Sequence, residues 1–132
     1  MNVKIATAPC SWGVWYADGT PSKTPYNVFL DQAAEAGYKA LEMGPDGEGP
    51  TDVSQLRAEL DSRGLAICAG TACYTFCDFK SFEEVRPRVE ALCKRLKAFD
   101  AKYLVTMDDS KIGFYGEIKK NKTNDEWHLF LN

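Results

Sequence analysis

Strand-like and helix-like segments alternate along most of this 132-residue chain, and the alternation limits its fold more than any other feature. Short runs of β-branched and small apolar residues are separated by longer runs in which apolar residues recur every three or four positions. The strand-like runs are residues 3–8, 39–43, 65–71 and 103–107. Because the connections are short, the order β-α-β-α-β-α-β predicts parallel strands joined by right-handed crossovers.

Start and stop signals mark the predicted helices. Hydroxyl or carboxylate side chains suited to N-caps begin them, and glycines suited to the left-handed conformation end the first two. The predicted boundaries are Thr24-Pro25 to Gly37, Thr51-Asp52 to Gly64, and a capping box at Ser81-Phe82-Glu83-Glu84. A further capping box at residues 123–126 predicts the beginning of a fourth helix close to the last residue of the sequence.

These elements amount to about half of a larger architecture. A complete (βα)8 barrel has about 250 residues. We therefore expect an α/β fold in which parallel βα units form about half of a (βα)8 TIM barrel. Residues 1–132 would be a single incomplete or truncated domain with four strands, three helices and the start of a fourth. A flavodoxin-like sheet with helices on both faces is the alternative.

Composition narrows the classes of partner. The formal net charge is −3, so the chain lacks the basic face that nucleic acids and anionic membranes require. No apolar run approaches the roughly 18 residues that span a bilayer. The five cysteines are an odd number at irregular spacings, which predicts reduced, buried thiols in the cytoplasm.

The candidate site lies where the strands end, because ligands of parallel α/β folds bind at the carboxyl ends of the strands. The stretch APCSWGVWY (residues 8–16) follows the first strand. Aromatic rings cover the C–H surface of a sugar, while hydroxyls and carboxylates bind its OH groups. The predicted substrate-binding residues are Ser11, Trp12, Trp15, Thr71 and Asp108, and the predicted ligand is a small-molecule polyol or sugar. The alternative for the tryptophans is that they only plug the mouth of the barrel.

Glu42 is the candidate catalytic residue. A carboxylate among apolar neighbours is costly unless it meets a donor, a cation or water, so Glu42 either binds a hydroxyl and moves a proton or pairs with a neighbouring group. Asp108-Asp109 fits a hard cation or, more simply, a turn. Cys73 and Cys77 have weak zinc spacing, and Cys68 is expected to point into the core. We assign no residue to a metal site.

Several motifs resemble one known family. Residues 5–15 (IATAPCSWGVW), 29–38 (FLDQAAEAGY) and 40–45 (ALEMGP) look like the start of a xylose isomerase-like TIM barrel. This is the broad family of sugar phosphate isomerases and epimerases, and the resemblance is strongest to its inosose dehydratase branch. Ala69-Gly70-Thr71 and residues 101–105 (AKYLV) extend the match to about residues 3–108, which corresponds to the N-terminal half of the family's barrel.

The resemblance implies a role in carbohydrate metabolism. Members act on a sugar, a sugar phosphate or an inositol derivative by proton transfer next to a carbonyl, often with a divalent metal (Mn, Mg, Co or Zn). By analogy Ser11 and Trp12 line the substrate cavity and Glu42 stands at its edge. The family's metal ligands lie on later strands, so none carries over to this chain. Asp100 stands where a glycine is common, and aspartate tolerates the left-handed conformation that such a site requires.

Half a barrel leaves an apolar face and two strand edges open, which predicts a homodimer or a higher oligomer formed through the open sheet. Three functions are compatible with the sequence. The chain is a sugar isomerase, epimerase or dehydratase, a non-catalytic half-barrel binding module, or a truncated fragment that lacks the metal site.

Overall fold

The computed structural model describes residues 5–13, 24–44, 49–74, 76 and 79–108. The predicted order of elements is confirmed over these residues. The elements are β1 (Ala6–Thr7), a 3-10 turn (Pro9–Trp12), α1 (Tyr26–Glu35), β2 (Ala40–Met43), α2 (Val53–Asp61), β3 (Ala66–Tyr74), α3 (Phe79–Ala98) and β4 (Tyr103–Asp108). In this part of the chain no helix has the length and apolar character needed to cross a bilayer.

The order of the strands agrees with part of a barrel and disagrees with the flavodoxin-like sheet that was the alternative prediction. The four strands pair in parallel in the order β1-β2-β3-β4, so each strand lies beside the next one in sequence. Right-handed crossovers that always move in the same direction place every helix on the same face of the sheet. Ion pairing and hydrogen bonding agree with this arrangement, because Arg63 after α2 binds Asp31 of α1 at 2.6 Å and Arg57 of α2 donates to the carbonyl of Ala98 in α3.

The core lies between the helices and one face of the sheet. Its strand residues alternate with exposed or half-buried ones, apart from the consecutive buried residues Ala69 and Gly70 of β3, as expected for a sheet covered on one side. The buried cluster consists of Phe29, Leu30, Ala33, Leu41, Met43, Leu56, Leu60, Leu65, Ile67, Ala72, Leu92 and Leu96. Gly70 of β3 permits the close approach of α3, since a Cβ atom there would lie 2.9 Å from a methyl group of Leu96.

The opposite face of the sheet, which we call the open face, carries no helix among the described residues. Alternation along β4 places Tyr103 and Val105 on this face, where they are 68% and 41% exposed. Glu42 of β2 and Thr71 of β3 lie on the same face and are half-buried. In a closed barrel this face would line the interior.

The three helices end with the same hydrogen-bonded stop. After α3, the N–H of Ala101 donates to the carbonyl of Leu96, and the N–H of Asp100 donates to that of Lys97. This pair of bonds defines a Schellman motif, whose C′ residue adopts a left-handed conformation. Asp100 has φ 55°, and Gly37 and Gly64 occupy the same position after α1 and α2 with φ 89° and 64°. The predicted stops are therefore confirmed, including the aspartate that replaces glycine.

Three local predictions are wrong or lie outside the described residues. Thr24 is not the N-cap of α1, because Pro25 holds that position and no side chain caps the helix. The Thr24 hydroxyl instead donates to the carbonyl of Trp12 at 2.8 Å. The Ser81 capping box does not begin α3, which already starts at Phe79. The predicted fourth helix at residues 123–131 lies outside the described residues.

Candidate functional site

A hydrogen-bonded carboxylate marks the candidate site on the open face. Glu42 lies on β2, and its Oε1 atom accepts a hydrogen bond from the hydroxyl of Thr71 on the neighbouring strand β3. Among the described residues, no group donates to Oε2 of Glu42. One oxygen of the carboxylate is thus held in place while the other is available to a ligand.

Cys68 lies beside this pair and was missed as a site residue by the sequence reasoning. Its thiol is half-buried and donates to the carbonyl of Leu41 at 3.4 Å, so the prediction that Cys68 belongs to the core is wrong. Burial raises the pKa of the Cys68 thiol above its ordinary value of 9.0, a backbone hydrogen bond opposes this rise, and the charge of Glu42 adds to it. Cys68 and Glu42 therefore interact electrostatically.

A bulge in β3 brings Thr71 to the face of Glu42. Leu41 pairs with Ile67, but Glu42 pairs with Ala69, so Cys68 is an extra residue in β3. A shift of one residue exchanges the two faces of a strand. Without the bulge, alternation from the buried Ile67 would turn Thr71 toward the helices. The one sequence signal was Gly70, because a glycine inside a strand often marks a bulge or a close backbone approach.

The loop after β1 is held against α1 by Trp12. The indole N–H of Trp12 donates to the side-chain carbonyl of Gln32 at 2.8 Å, and its ring meets the rings of Phe29 and Tyr38 edge-on at centroid distances of 5.1 and 6.5 Å. These contacts give Trp12 a structural role in fixing the 3-10 turn. Its role in binding substrate stays a prediction.

The other predicted site residues differ in how the structure places them. Ser11 is exposed in the 3-10 turn, which contacts β2. Thr71 is brought to Glu42, whereas the backbone of Asp108 ends β4 and its side chain lies outside the description. Trp15 also lies outside the described residues. The structure thus joins Glu42 and Thr71 directly, and the remaining assignments stay predictions.

Aromatic and cation–π contacts lie at the carboxyl end of β3. Tyr74, the last residue of β3, lies under the guanidinium group of Arg88 at 4.6 Å and meets the ring of Phe76 edge-on at 6.0 Å. A cation over an aromatic face is attracted by the ring quadrupole. The first half of α3 is therefore attached to the carboxyl end of the sheet.

The described residues do not fit a divalent metal. Within them, no three side chains from His, Cys, Asp or Glu converge as a metal site would require. Glu42 is the carboxylate identified on the open face, and its neighbours are a hydroxyl and a thiol. The divalent metal implied by the family resemblance therefore finds no ligand set in this part of the chain.

Solved structures of other proteins show which fold this chain shares. The structure is similar to that of D-psicose 3-epimerase with D-tagatose from Clostridium cellulolyticum H10, with a TM-score of 0.67 and 16% identity over 98% of this chain and 45% of that one. It is also similar to the probable 3-DHS dehydratase AsbF of Bacillus anthracis, described as involved in petrobactin synthesis, with a TM-score of 0.57 and 15% identity over 79% and 38% of the two chains. The fold is that of parallel βα units forming about half of a (βα)8 barrel.

Sequence comparison defines the family. The chain is 31% identical to inosose dehydratase of Histophilus somni (strain 129Pt) over 97% of its own length and 44% of the relative's. It is 32% identical to inosose dehydratase of Glaesserella parasuis serovar 5 (strain SH0165) over 64% and 28% of the two chains. No protein-family model matches the chain. The chain belongs to the xylose isomerase-like TIM-barrel family, and it spans less than half of the length of these curated relatives.

Proposed function

We propose that this chain forms part of an enzyme that moves a proton next to the carbonyl of a sugar, a sugar phosphate or an inositol derivative, with Glu42 as the acid or base. The reaction would be an isomerisation, an epimerisation or a dehydration, which share this proton transfer. The observation that carries the proposal is the carboxylate of Glu42 on the open face, held by Thr71 through one oxygen. The similarity to inosose dehydratases supports the substrate class.

The chemistry of Glu42 follows from its surroundings. A catalytic base must reach the proton that it removes and must hold a fixed position while it does so. The hydrogen bond from Thr71 supplies the fixed position, and Oε2 faces no competing donor among the described residues.

The proposed environment is a reducing cytoplasm, and the proposed domain is one incomplete barrel over residues 1–132. Four of the five cysteines lie in the described part of the chain, at Cys10, Cys68, Cys73 and Cys93, and all four are free thiols. The prediction that the thiols are buried is wrong for these four, because Cys10 and Cys93 are exposed and the other two are half-buried. Free thiols are typical of proteins kept in reducing compartments. The continuous order of βα units over the described residues supports a single domain.

Binding is tested by titrating the chain with 2-keto-myo-inositol, a ketohexose and its 6-phosphate while tryptophan fluorescence is recorded. Saturable change with at least one of them is expected, because Trp12 lies in the 3-10 turn that contacts β2, the strand that carries Glu42. Cyclohexanone, which has the carbonyl without the hydroxyls, is the control. Repeating the titration with Mn²⁺ and with EDTA shows whether a metal contributes. The absence of saturation with all three compounds contradicts the proposal, and saturable binding without turnover favours a non-catalytic binding module.

The open sheet supports a homodimer as the proposed assembly. No described strand pairs with β4 on the side away from β3, and Tyr103 and Val105 of the same strand are exposed on the open face. A cleft of about 390 Å³ adjoins the same edge, lined in part by Leu96, Tyr103 and Leu104. In a two-fold dimer, β4 of each copy would pair with β1 of the other, and eight strands would close a barrel.

Sedimentation equilibrium tests this assembly. The chain is expected to sediment as a dimer, and V105K is expected to shift the population toward monomer because a lysine on the open face opposes edge pairing. The matched control is K102A, at an exposed position just before the same strand. A wild-type chain that sediments as a compact monomer at all concentrations contradicts the dimer.

A further inference from the structure

We infer that Thr71 is a positioning residue for Glu42, aimed at it by the bulge in β3 and assigned to the carboxylate rather than to the substrate. The inference rests on the proposed function, because it explains how the acid or base of that reaction is held. It also changes the sequence-based interpretation, in which Thr71 contacts the ligand directly.

The first step of the argument is the face on which Thr71 lies. Met43, next to Glu42 on β2, is buried on the side of the helices, and so are Gly70 and Ala72 on either side of Thr71 in β3. Because side chains alternate along a strand, Glu42 and Thr71 point to the open face. Glu42 and Thr71 share that face only because Cys68 is an additional residue between the pairs Leu41–Ile67 and Glu42–Ala69. Bulges next to active sites commonly redirect one side chain in this way.

The second step is the hydrogen-bonding capacity of Thr71. A threonine hydroxyl has one proton to donate, and in this structure that proton goes to Oε1 of Glu42. The hydroxyl can still accept a hydrogen bond from a ligand, but it cannot donate one without releasing Glu42. Thr71 therefore fixes the carboxylate and leaves Oε2 of Glu42 to face the ligand.

The third step concerns Cys68, which stabilises the bulge. An extra residue interrupts the ladder of backbone hydrogen bonds between two strands. The thiol of Cys68 donates to the carbonyl of Leu41, so the side chain of the extra residue bridges to the neighbouring strand. Its sulfur is near enough to Glu42 for the carboxylate charge to raise the thiol pKa, which provides a probe of where Glu42 lies.

The experiment measures the pH titration of Cys68 in the full chain without any substrate. Protein labelled with ¹³Cβ-cysteine is titrated by NMR, and the Cys68 signal is assigned by its loss in C68S. In E42Q the pKa of Cys68 is expected to fall, because the negative charge that raises it is removed. In T71V it is expected to fall as well, because Glu42 loses its anchor and carries its charge away from the thiol. T71S, which keeps the hydroxyl, is expected to titrate like the wild type.

Two results overturn the inference. If the pKa of Cys68 in T71V matches the wild type while E42Q lowers it, Glu42 keeps its place without Thr71. If E42Q also matches the wild type, Glu42 does not lie beside Cys68. Circular dichroism checks that each variant is folded, and T71A replaces T71V if the valine variant is insoluble. Because no substrate is used, failure of the polyol titration would contradict the proposed function and leave this result unaffected.

Discussion

The variant E42Q is expected to lose proton exchange next to the substrate carbonyl by roughly 10²–10⁴-fold, which is the usual contribution of a positioned acid or base. Glutamine has nearly the same shape as glutamate, but its side-chain amide cannot act as an acid or base near neutral pH. The hydroxyl of Thr71 can still donate to the side-chain amide oxygen of the glutamine in this variant, so the local geometry has a means to persist. The loss therefore reflects chemistry more than folding.

The measurement is the incorporation of deuterium from D₂O into the bound polyol, followed by proton NMR with the compound that saturates the fluorescence change. This assay reads the proton transfer itself and does not require the complete reaction. E35Q is the matched control, because Glu35 is exposed at the end of α1. Exchange at the wild-type rate in E42Q would remove Glu42 from the reaction. Retained fluorescence binding in E42Q would separate lost chemistry from lost affinity.

The variant F29A is expected to lower the free energy of unfolding by about 3–5 kcal/mol, the usual cost of deleting a fully buried phenylalanine side chain. Phe29 of α1 is fully buried, and its ring meets those of Trp12 and Tyr26 edge-on at centroid distances of 5.1 and 5.6 Å. The cavity left by alanine would remove the surface on which Trp12 packs. The 3-10 turn is therefore expected to loosen together with the core.

Urea denaturation followed by circular dichroism measures this cost, and tryptophan emission measures the loosening of the turn as a shift to longer wavelength. The control is I5A, because Ile5 is 70% exposed and its truncation is expected to change stability by no more than about 0.5 kcal/mol. If F29A cost less than I5A, the helix-facing cluster would not be the core of this chain.

Much of the fold could be predicted because it depends on periodicity and on local stop signals. β2, β4 and the first two helices lie close to their predicted bounds, and β3 extends three residues beyond the predicted end at Thr71. β1 is shorter than predicted, with only Ala6–Thr7 as strand in the described part of the predicted run 3–8. The α3 boundary was less predictable. The Ser81 capping box is a valid local signal, but α3 begins at Phe79 in spite of it. Tertiary context overrides propensity at helix ends more easily than it overrides a long apolar stripe.

The candidate site was only partly predictable, because it depends on which face of β3 each side chain occupies after the bulge. Glu42 was found from its chemistry, as a carboxylate among apolar neighbours. The bond from Thr71 could not be foreseen, because Gly70 indicates an irregular strand but does not show that the extra residue is Cys68. The contact between Trp12 and Gln32 likewise joins residues 20 positions apart through side-chain geometry alone.

The matching helix ends at Gly37, Gly64 and Asp100 make the chain modular. Each βα unit finishes in the same backbone conformation, so each delivers the next strand to the sheet in the same orientation. The shared helix end also suits a unit to repetition. Tandem duplication of a single unit, such as residues 38–64, would keep the same hydrogen-bonded junction between each helix and the strand that follows it, which makes this chain a natural starting piece for assembling barrels from repeated segments.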